Sequence, residues 1–368
     1  MTRPMRVLAS PARQGPDGNP YIDQLNDALR AEGFEVTQLT RRALLDRPDV
    51  VHVHWPEALV RWEQPAPVAG LDMIKVLGGL WVARRRGARL VWTGHNLGPH
   101  DAVRPRMMAL FLGTFATMTD VVVSLSRPAG DALRERHPRL RRTPVVVIPH
   151  GHYRNAYDVA PPRRQAHRRL GTPADLPVFL LMGQIRAYKG VPALVRAFES
   201  GFVGRARLLV AGSAADPALE RELVELARDG AGTLLRLGRV PQQEVPVLHG
   251  AADVVVLPYS SGSTLNSGAA ILALSLGRPV VVPDSAAMRD LAQLVGPGWV
   301  HTFAGTSADA LATAERALTT PRSARPDLSE LEWTAVGPAT ARLFRGLVPD
   351  AGISGAGRLR RPRTAEPS

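Results

Sequence analysis

The chain of 368 residues has no cysteine, only two lysines (Lys75 and Lys189) and 19 aromatic residues. Without cysteine there is no disulfide scaffold, no cysteine-based metal site and no thiolate catalysis. The scarce aromatics are not interleaved with basic runs and no nucleic-acid-binding motif is recognisable, so nucleic acid is not an expected partner. No apolar run clearly reaches the roughly 20 residues of a spanning helix. The nearest, residues 107–126, is interrupted by Asp120 and divides into a helix (107–118) and a strand (121–125). Residues 5–9 are too short for the apolar core of a secretory signal. A cytoplasmic protein is expected, with or without peripheral attachment to the inner face of the cell membrane.

Arginine fills the space that lysine leaves. There are 44 arginines, and the formal net charge is +13. Such an excess suits an anionic partner: nucleic acid, anionic lipid or a phosphorylated substrate. A coding preference for Arg, Ala, Gly and Pro accounts for much of it equally well. The hydrophobic content of 45% excludes a fully disordered chain. The length suits about two domains, each able to bury a core without staples.

Short β-branched runs alternate with helical patterns. Strands are expected at 5–10, 34–39, 50–55, 89–94, 120–125 and 144–150. After a polar, Pro- and Arg-rich stretch they resume at 177–183, 207–212, 233–238, 253–259, 279–283 and 299–303. This β–α alternation predicts an α/β fold of parallel, doubly wound sheets. The expected division is a first Rossmann-like domain (1–157), a linker (158–177), a second Rossmann-like domain (178–328), a final helix (329–348) and a disordered basic tail (349–368). Neither half has G-x-G-x-x-G directly after its first strand, and there is no Walker A sequence, so nicotinamide and P-loop chemistry are disfavoured.

Three constellations carry chemistry. The loop Gly183-Gln-Ile-Arg186-Ala-Tyr-Lys189-Gly190 follows the second domain's first strand and leads into a helix. Ligands of open α/β sheets bind at the carboxyl ends of strands, and helix N-termini attract anions. Arg186 adds a bidentate fork and Lys189 a point charge, so a phosphate or diphosphate is the expected ligand. Second, Ser260, Ser261, Ser263, Thr264, Asn266 and Ser267 crowd the turn before a helix near Gly268. They read as a second anion cradle, or as a simple N-cap. Third, His52, His54, His95, His100 and His150 fall at strand ends of the first domain, with Glu57 and Asp101 nearby. General acid–base work or contacts to sugar hydroxyls suit them better than zinc, for which no ligand spacing is present.

Together these segments resemble the GT-B-fold glycosyltransferases, in particular the family 4-like group. The resemblance spans about residues 5–347. It rests on Gly15 and Gly18 after the first strand, Thr93-x-His95-Asn96, Ile148-Pro-His-Gly151, Ile185-Arg186-x-Tyr188-Lys189-Gly190, the segment Ala252–Tyr259, and Gly277-Arg-Pro-Val-Val281. It implies two Rossmann-like domains facing each other across a cleft. A nucleotide-sugar donor would lie on the second domain, and a glycan, lipid-linked or small-molecule acceptor on the first. It also implies a last helix crossing back to the first domain. Arg186 and Lys189 would hold the donor diphosphate without a metal or other cofactor. Gly15, Gly18, Tyr259, Thr264, Asn266, Ser267 and Gly268 complete the donor-binding set, and His95 would contact the donor sugar.

The pattern departs from the family at one point. Retaining members usually carry two glutamates eight positions apart, and the matching positions here are Leu272 and Thr264. The hydroxyl and amide groups of 264–268 are left to take their place, and retention and inversion are both open. Inversion needs a general base, for which Asp101 and Glu57 are the candidates, with His95 the third catalytic candidate. Residues 73–90, with Lys75, Arg84, Arg85, Arg86 and Arg89, and the nearby Arg104, Arg106 and 134–142 run make an apolar and basic face suited to an anionic membrane. The competing readings are a sugar-nucleotide epimerase or phosphorylase of the same fold, and a non-enzymatic basic binding protein.

Overall fold

The structure, a computed structural model, describes residues 3–15, 18–98, 103–228, 232–259 and 265–348. They form two α/β domains. The first holds strands β1 (Arg6–Ser10), β2 (Glu35–Gln38), β3 (Val50–Val53), β4 (Arg89–Gly94), β5 (Val121–Ser124) and β6 (Val145–Val147). The second holds β7 (Val178–Met182), β8 (Arg207–Gly212), β9 (Thr233–Leu237), β10 (Val254–Val256), β11 (Val280–Pro283) and β12 (Val300–Phe303). The helices are α1 (Pro20–Ala31), α2 (Ala66–Arg85), α3 (Pro105–Met118), α4 (Arg127–Arg136), α5 (Arg163–Leu170), α6 (Val191–Gly201), α7 (Pro217–Arg228), α8 (Val245–Ala251), α9 (Gly268–Ser275), α10 (Ala286–Val295), α11 (Ser307–Thr319) and α12 (Trp333–Leu347).

Every named strand pair is parallel. The strand orders are β2-β1-β3-β4-β5-β6 and β12-β11-β10-β7-β8-β9. Strands β3, β5, β10 and β11 are buried along their whole length. That is why they read as unbroken Val-rich runs rather than alternating ones. The direction of winding reverses between β1 and β3 in one sheet and between β7 and β10 in the other. Crevices open at such reversals, outside the carboxyl ends of the strands. The fold therefore fixes two places for ligands: after β1 and β3, and after β7 and β10.

One hydrophobic cluster runs through both domains, and two others fill the far faces of the two sheets. The final helix α12 packs on α1. The two helices approach closely because Gly337 faces Ala28, where an added Cβ would stand 2.8 Å from the alanine Cβ. Arg345 Nη2 donates to the Glu32 carbonyl at 2.6 Å. Trp333 Nε1 donates to the His152 carbonyl at 2.8 Å.

Residues 158–177 contain the eight-residue helix α5, which packs on α8. Ala166 and Leu170, four apart, are its buried apolar positions. This i,i+4 pair is the helical signal beneath the polar composition. Gly171 then ends the helix in the left-handed region, at φ 64°.

Candidate functional site

The two carboxyl edges face each other across a cleft. On the second domain its floor is made by close backbone approach. Gly183 follows β7 and Gly212 ends β8, with φ of 130° and 146°. A Cβ on Gly212 would stand 2.0 Å from the Gly183 carbonyl oxygen, so only glycine fits there. Lys189 Nζ lies 3.7 Å from where a Gly183 Cβ would be, so the ammonium sits over this bare backbone. Lys189 ends a single 3₁₀ turn, and Gly190, left-handed at φ 64°, turns the chain into α6.

Burial, reinforced by the neighbouring Arg186 charge, lowers the Lys189 pKa to about 8. No carboxylate among the described residues pairs with Lys189. Arg186 Nε donates to Gln184 Oε1 at 3.1 Å, which holds the guanidinium on this loop. Two cations crowded at a helix start, one of them partly desolvated, favour a dianionic or trianionic ligand between them.

The cradle after β10 is arranged more narrowly than the sequence suggested. Ser267 is the N-cap of α9, and its Oγ accepts from the Ala270 N–H at 3.1 Å. The same hydroxyl is hydrogen-bonded to Tyr259 Oη. Both side chains are buried, so Ser267 and Tyr259 brace the start of α9 rather than offering free hydroxyls. Gly268 is what faces the cleft. An added Cβ would stand 3.1 Å from Tyr153 Oη and 3.9 Å from His150 Nε2. Asn266 lines a different interdomain cavity, with Ser126, Arg127 and His150. Thr264 and Asp101 lie outside the described residues, as do Ser260, Ser261, Ser263, His100 and the 349–368 tail.

The cavity over Gly183 and Gly212 is shared by both domains. The first domain contributes Gly18, Asn19 and Pro20; the segment between β6 and α5 contributes Tyr153 and Tyr157; Gln184, Ser213, Arg239 and Leu272 complete the far wall. Gly15, at φ 75°, and Gly18 form a turn closed by Gly18 N–H to the Gly15 carbonyl, 3.2 Å. That turn delivers Asn19 as the N-cap of α1. Asn19 Oδ1 also accepts from Tyr153 Oη at 2.8 Å, and Tyr153 N–H donates to Ser275 Oγ at 3.0 Å. Tyr153 thus ties the first domain to the second. Sequence reading missed Asn19, Tyr153, Ser213 and Arg239. Asn19-Pro20 before a helix was a legible cap signal, whereas Tyr153 carried none.

The histidines converge. His54 Nδ1 lies 2.9 Å from His95 Nε2, and His52 Nε2 lies 2.7 Å from Thr93 Oγ1. Trp55 stacks on His95 with ring centres 4.7 Å apart, and Tyr21 meets His54 and His95 edge-on. Burial keeps all four imidazoles neutral: it pushes His52 and His95 down to about 3, His150 to about 4, and His54 well below its ordinary value. Glu57, on the turn after β3, shares one cavity with His54, His95 and Asn96. Burial raises the Glu57 pKa.

The proposed basic face is partly taken up by structure. Arg84 forks onto Asp120, at 2.6 and 3.2 Å. Arg86, Arg89 and Arg104 donate to the carbonyls of Leu45, Leu347, and Trp62 and Gln64 respectively. Lys75, Arg85 and Arg106 are exposed. By length and composition α2 is apolar enough to cross a membrane, although the sequence reading singled out 107–126 instead. Its Ala69 is buried, and its Val76, Leu80 and Ala83 pack in the first domain's core.

Comparison with known proteins gives a consistent result. Residues 176–320 match the family model described as glycosyl transferases group 1. A GDP-mannose:glycolipid 4-beta-D-mannosyltransferase of Xanthomonas campestris pv. campestris is 33% identical over 350 residues, covering 92% of this chain and 91% of that protein. A D-inositol 3-phosphate glycosyltransferase of Thermobispora bispora is 28% identical over 67% of this chain and 69% of its own length. Among solved structures, sucrose-phosphate synthase from Thermosynechococcus elongatus aligns with a TM-score of 0.66 at 21% identity, over 94% of this chain and 99% of that one. Anabaena HepE, solved with UDP and glucose, aligns with a TM-score of 0.58 at 14% identity, over 94% and 97%.

Proposed function

This chain belongs to the family 4-like GT-B glycosyltransferases, enzymes that move a sugar from a nucleotide-sugar donor, and from that premise we propose that it transfers mannose from GDP-mannose to a lipid-linked glycan, in β-linkage and with inversion. Membership sets aside the epimerase, phosphorylase and non-enzymatic readings. The donor and acceptor are drawn from the mannosyltransferase relatives, which align along nearly the whole chain. A β-mannoside formed from an α-linked nucleoside diphosphate donor requires inversion at the anomeric carbon. Inversion needs a base opposite the leaving group.

The observation that carries this reading is the placement of Glu57. Its partly buried carboxyl lines a narrow crevice with His95 at the carboxyl edge of the first domain, and Arg186 and Lys189 lie on the loop after β7 of the second domain. A raised pKa suits a carboxylate that must accept a hydroxyl proton. Leu272, an apolar residue, lines the donor wall at a position where retaining members carry a carboxylate.

In this mechanism Arg186 and Lys189 neutralise the diphosphate as it leaves, with no divalent cation. Glu57 deprotonates the acceptor hydroxyl as it attacks. A panel of nucleotide-sugars, assayed for nucleoside diphosphate release by wild type, Arg186→Ala and Lys189→Ala, tests it. GDP-mannose turnover that collapses in both variants is expected; no turnover of any nucleotide-sugar refutes it.

The acceptor side is proposed to meet the anionic inner face of the cell membrane, and not nucleic acid. Exposed Val68, Leu71, Ile74 and Trp81 on α2 adjoin exposed Val103 and Leu110 at α3. The only acid of α2, Asp72, is buried and paired with Arg41 and Arg61, and α3 has none. Arg85 lies 4.8 Å over the Trp81 ring. With Arg84, Arg86, Arg89 and Arg104 engaged elsewhere, apolar burial supplies more of the attraction than charge does.

A further inference from the structure

Hydrogen-bond accounting assigns the protons of the histidine pair. His54 is 1% exposed. Its Nε2 is buried without a partner. A neutral imidazole has one N–H and one lone pair. A buried N–H without an acceptor is rarer, and costs more, than an unfilled lone pair. The proton of His54 therefore sits on Nδ1, where an acceptor waits 2.9 Å away at His95 Nε2. His95 Nε2 must then present its lone pair, and the single proton of His95 is displaced to Nδ1. Among the described residues that Nδ1 has no hydrogen-bond partner, and it is not among the fully buried unpaired atoms, so it is left accessible to a ligand.

We propose that His54 is a positioning residue: its Nδ1–H, bonded to His95 Nε2, confines the His95 proton to Nδ1 and makes that imidazole a neutral hydrogen-bond donor toward bound substrate. The proposal rests on the reading above that His95 contacts substrate. The rest of the cage serves the same end. His52 packs against His54 with ring centres 4.3 Å apart, the rings tilted by 48°, and is held by Thr93. Trp55 covers the His95 face. Neither ring can turn over to exchange its nitrogens without disturbing a buried neighbour. A donor at this place is matched to a substrate oxygen, either a sugar hydroxyl or an oxygen that gains negative charge, and it acts without the desolvation cost of a buried cation.

The test pairs spectroscopy with kinetics. In ¹⁵N-labelled protein at neutral pH, His95 is expected as the Nδ1–H tautomer and His54 likewise. Asn at position 54 keeps a short amide donor near the Nδ1 position, whereas Phe keeps the volume and removes the donor. His54→Phe is expected to give a mixed or Nε2–H His95 and to lower kcat about tenfold with little change in donor KM. His54→Asn should restore the Nδ1–H signature and most of the rate. An Nε2–H His95 in the wild type overturns the proposal without any variant having to fold. His54→Phe with wild-type turnover overturns it as well. If the tautomer is as stated but His95→Ala turns over normally, the contact between His95 and substrate fails, and the functional half of the proposal with it.

Discussion

Trp333 lies directly across Gly151: a Cβ on the glycine would stand 2.3 Å from Trp333 Cζ2. The glycine of Ile148-Pro-His-Gly151 is thus required by packing at the junction where α12 returns to the first domain. Gly151→Ala must push the indole away and strain its 2.8 Å hydrogen bond to the His152 carbonyl. Overpacking of this kind costs about 1–3 kcal/mol. Thermal or urea unfolding is expected to show that loss, and a variant as stable as wild type refutes the packing role.

Lys189 makes donor binding pH-dependent. Its pKa is lowered to about 8 in the free protein, and a bound diphosphate raises it again. Binding therefore favours the protonated form. Affinity for GDP should be full below about pH 7. It should weaken as pH rises through 8, by at most about tenfold per pH unit until the bound-state pKa is reached. Calorimetry near pH 8.5 in buffers of different ionisation enthalpy should register proton uptake on binding, and Lys189→Ala should abolish it. Since two side-chain cations carry the charge, excess EDTA should leave turnover unchanged.

Glu57→Gln removes the base and keeps the shape. Transfer to acceptor should fall by roughly 10²–10⁴. GDP affinity should stay within about twofold, because Arg186 and Lys189 lie on the other domain. A variant that transfers normally moves the base elsewhere.

Ile74 is 63% exposed and Trp81 51% exposed on the outer side of α2. Neither supports the buried core, so Ile74→Glu and Trp81→Glu should fold normally. Both should reduce cosedimentation with vesicles of phosphatidylglycerol and phosphatidylcholine while leaving donor hydrolysis intact. Wild-type protein that fails to sediment with such vesicles at low salt sinks the membrane reading.

The alternation of apolar runs was enough to locate the twelve strands among the described residues within about three residues, because buried parallel strands need continuous β-branched stretches. The same patterning placed the Arg186–Lys189 loop at a carboxyl edge. Helix α5 was hidden, since two buried apolar residues in a polar context barely mark a periodicity. Within the site, sequence supplied the residue types and the fold chose among them. Ser267 was one of six hydroxyl- or amide-bearing residues, and burial beside Tyr259 made it the cap. Arg84 was one of five basic residues in its segment, and Asp120, 36 positions away, claimed it. His52, His54, His95 and His150 gather only because the neighbouring strands β3 and β4, and β6 one strand further on past β5, end at the same edge of the sheet. Local sequence determines secondary structure and backbone-shaped loops, since those depend on near neighbours. Which side chain is free, paired or buried depends on contacts dozens to hundreds of residues apart, and only tertiary packing decides it.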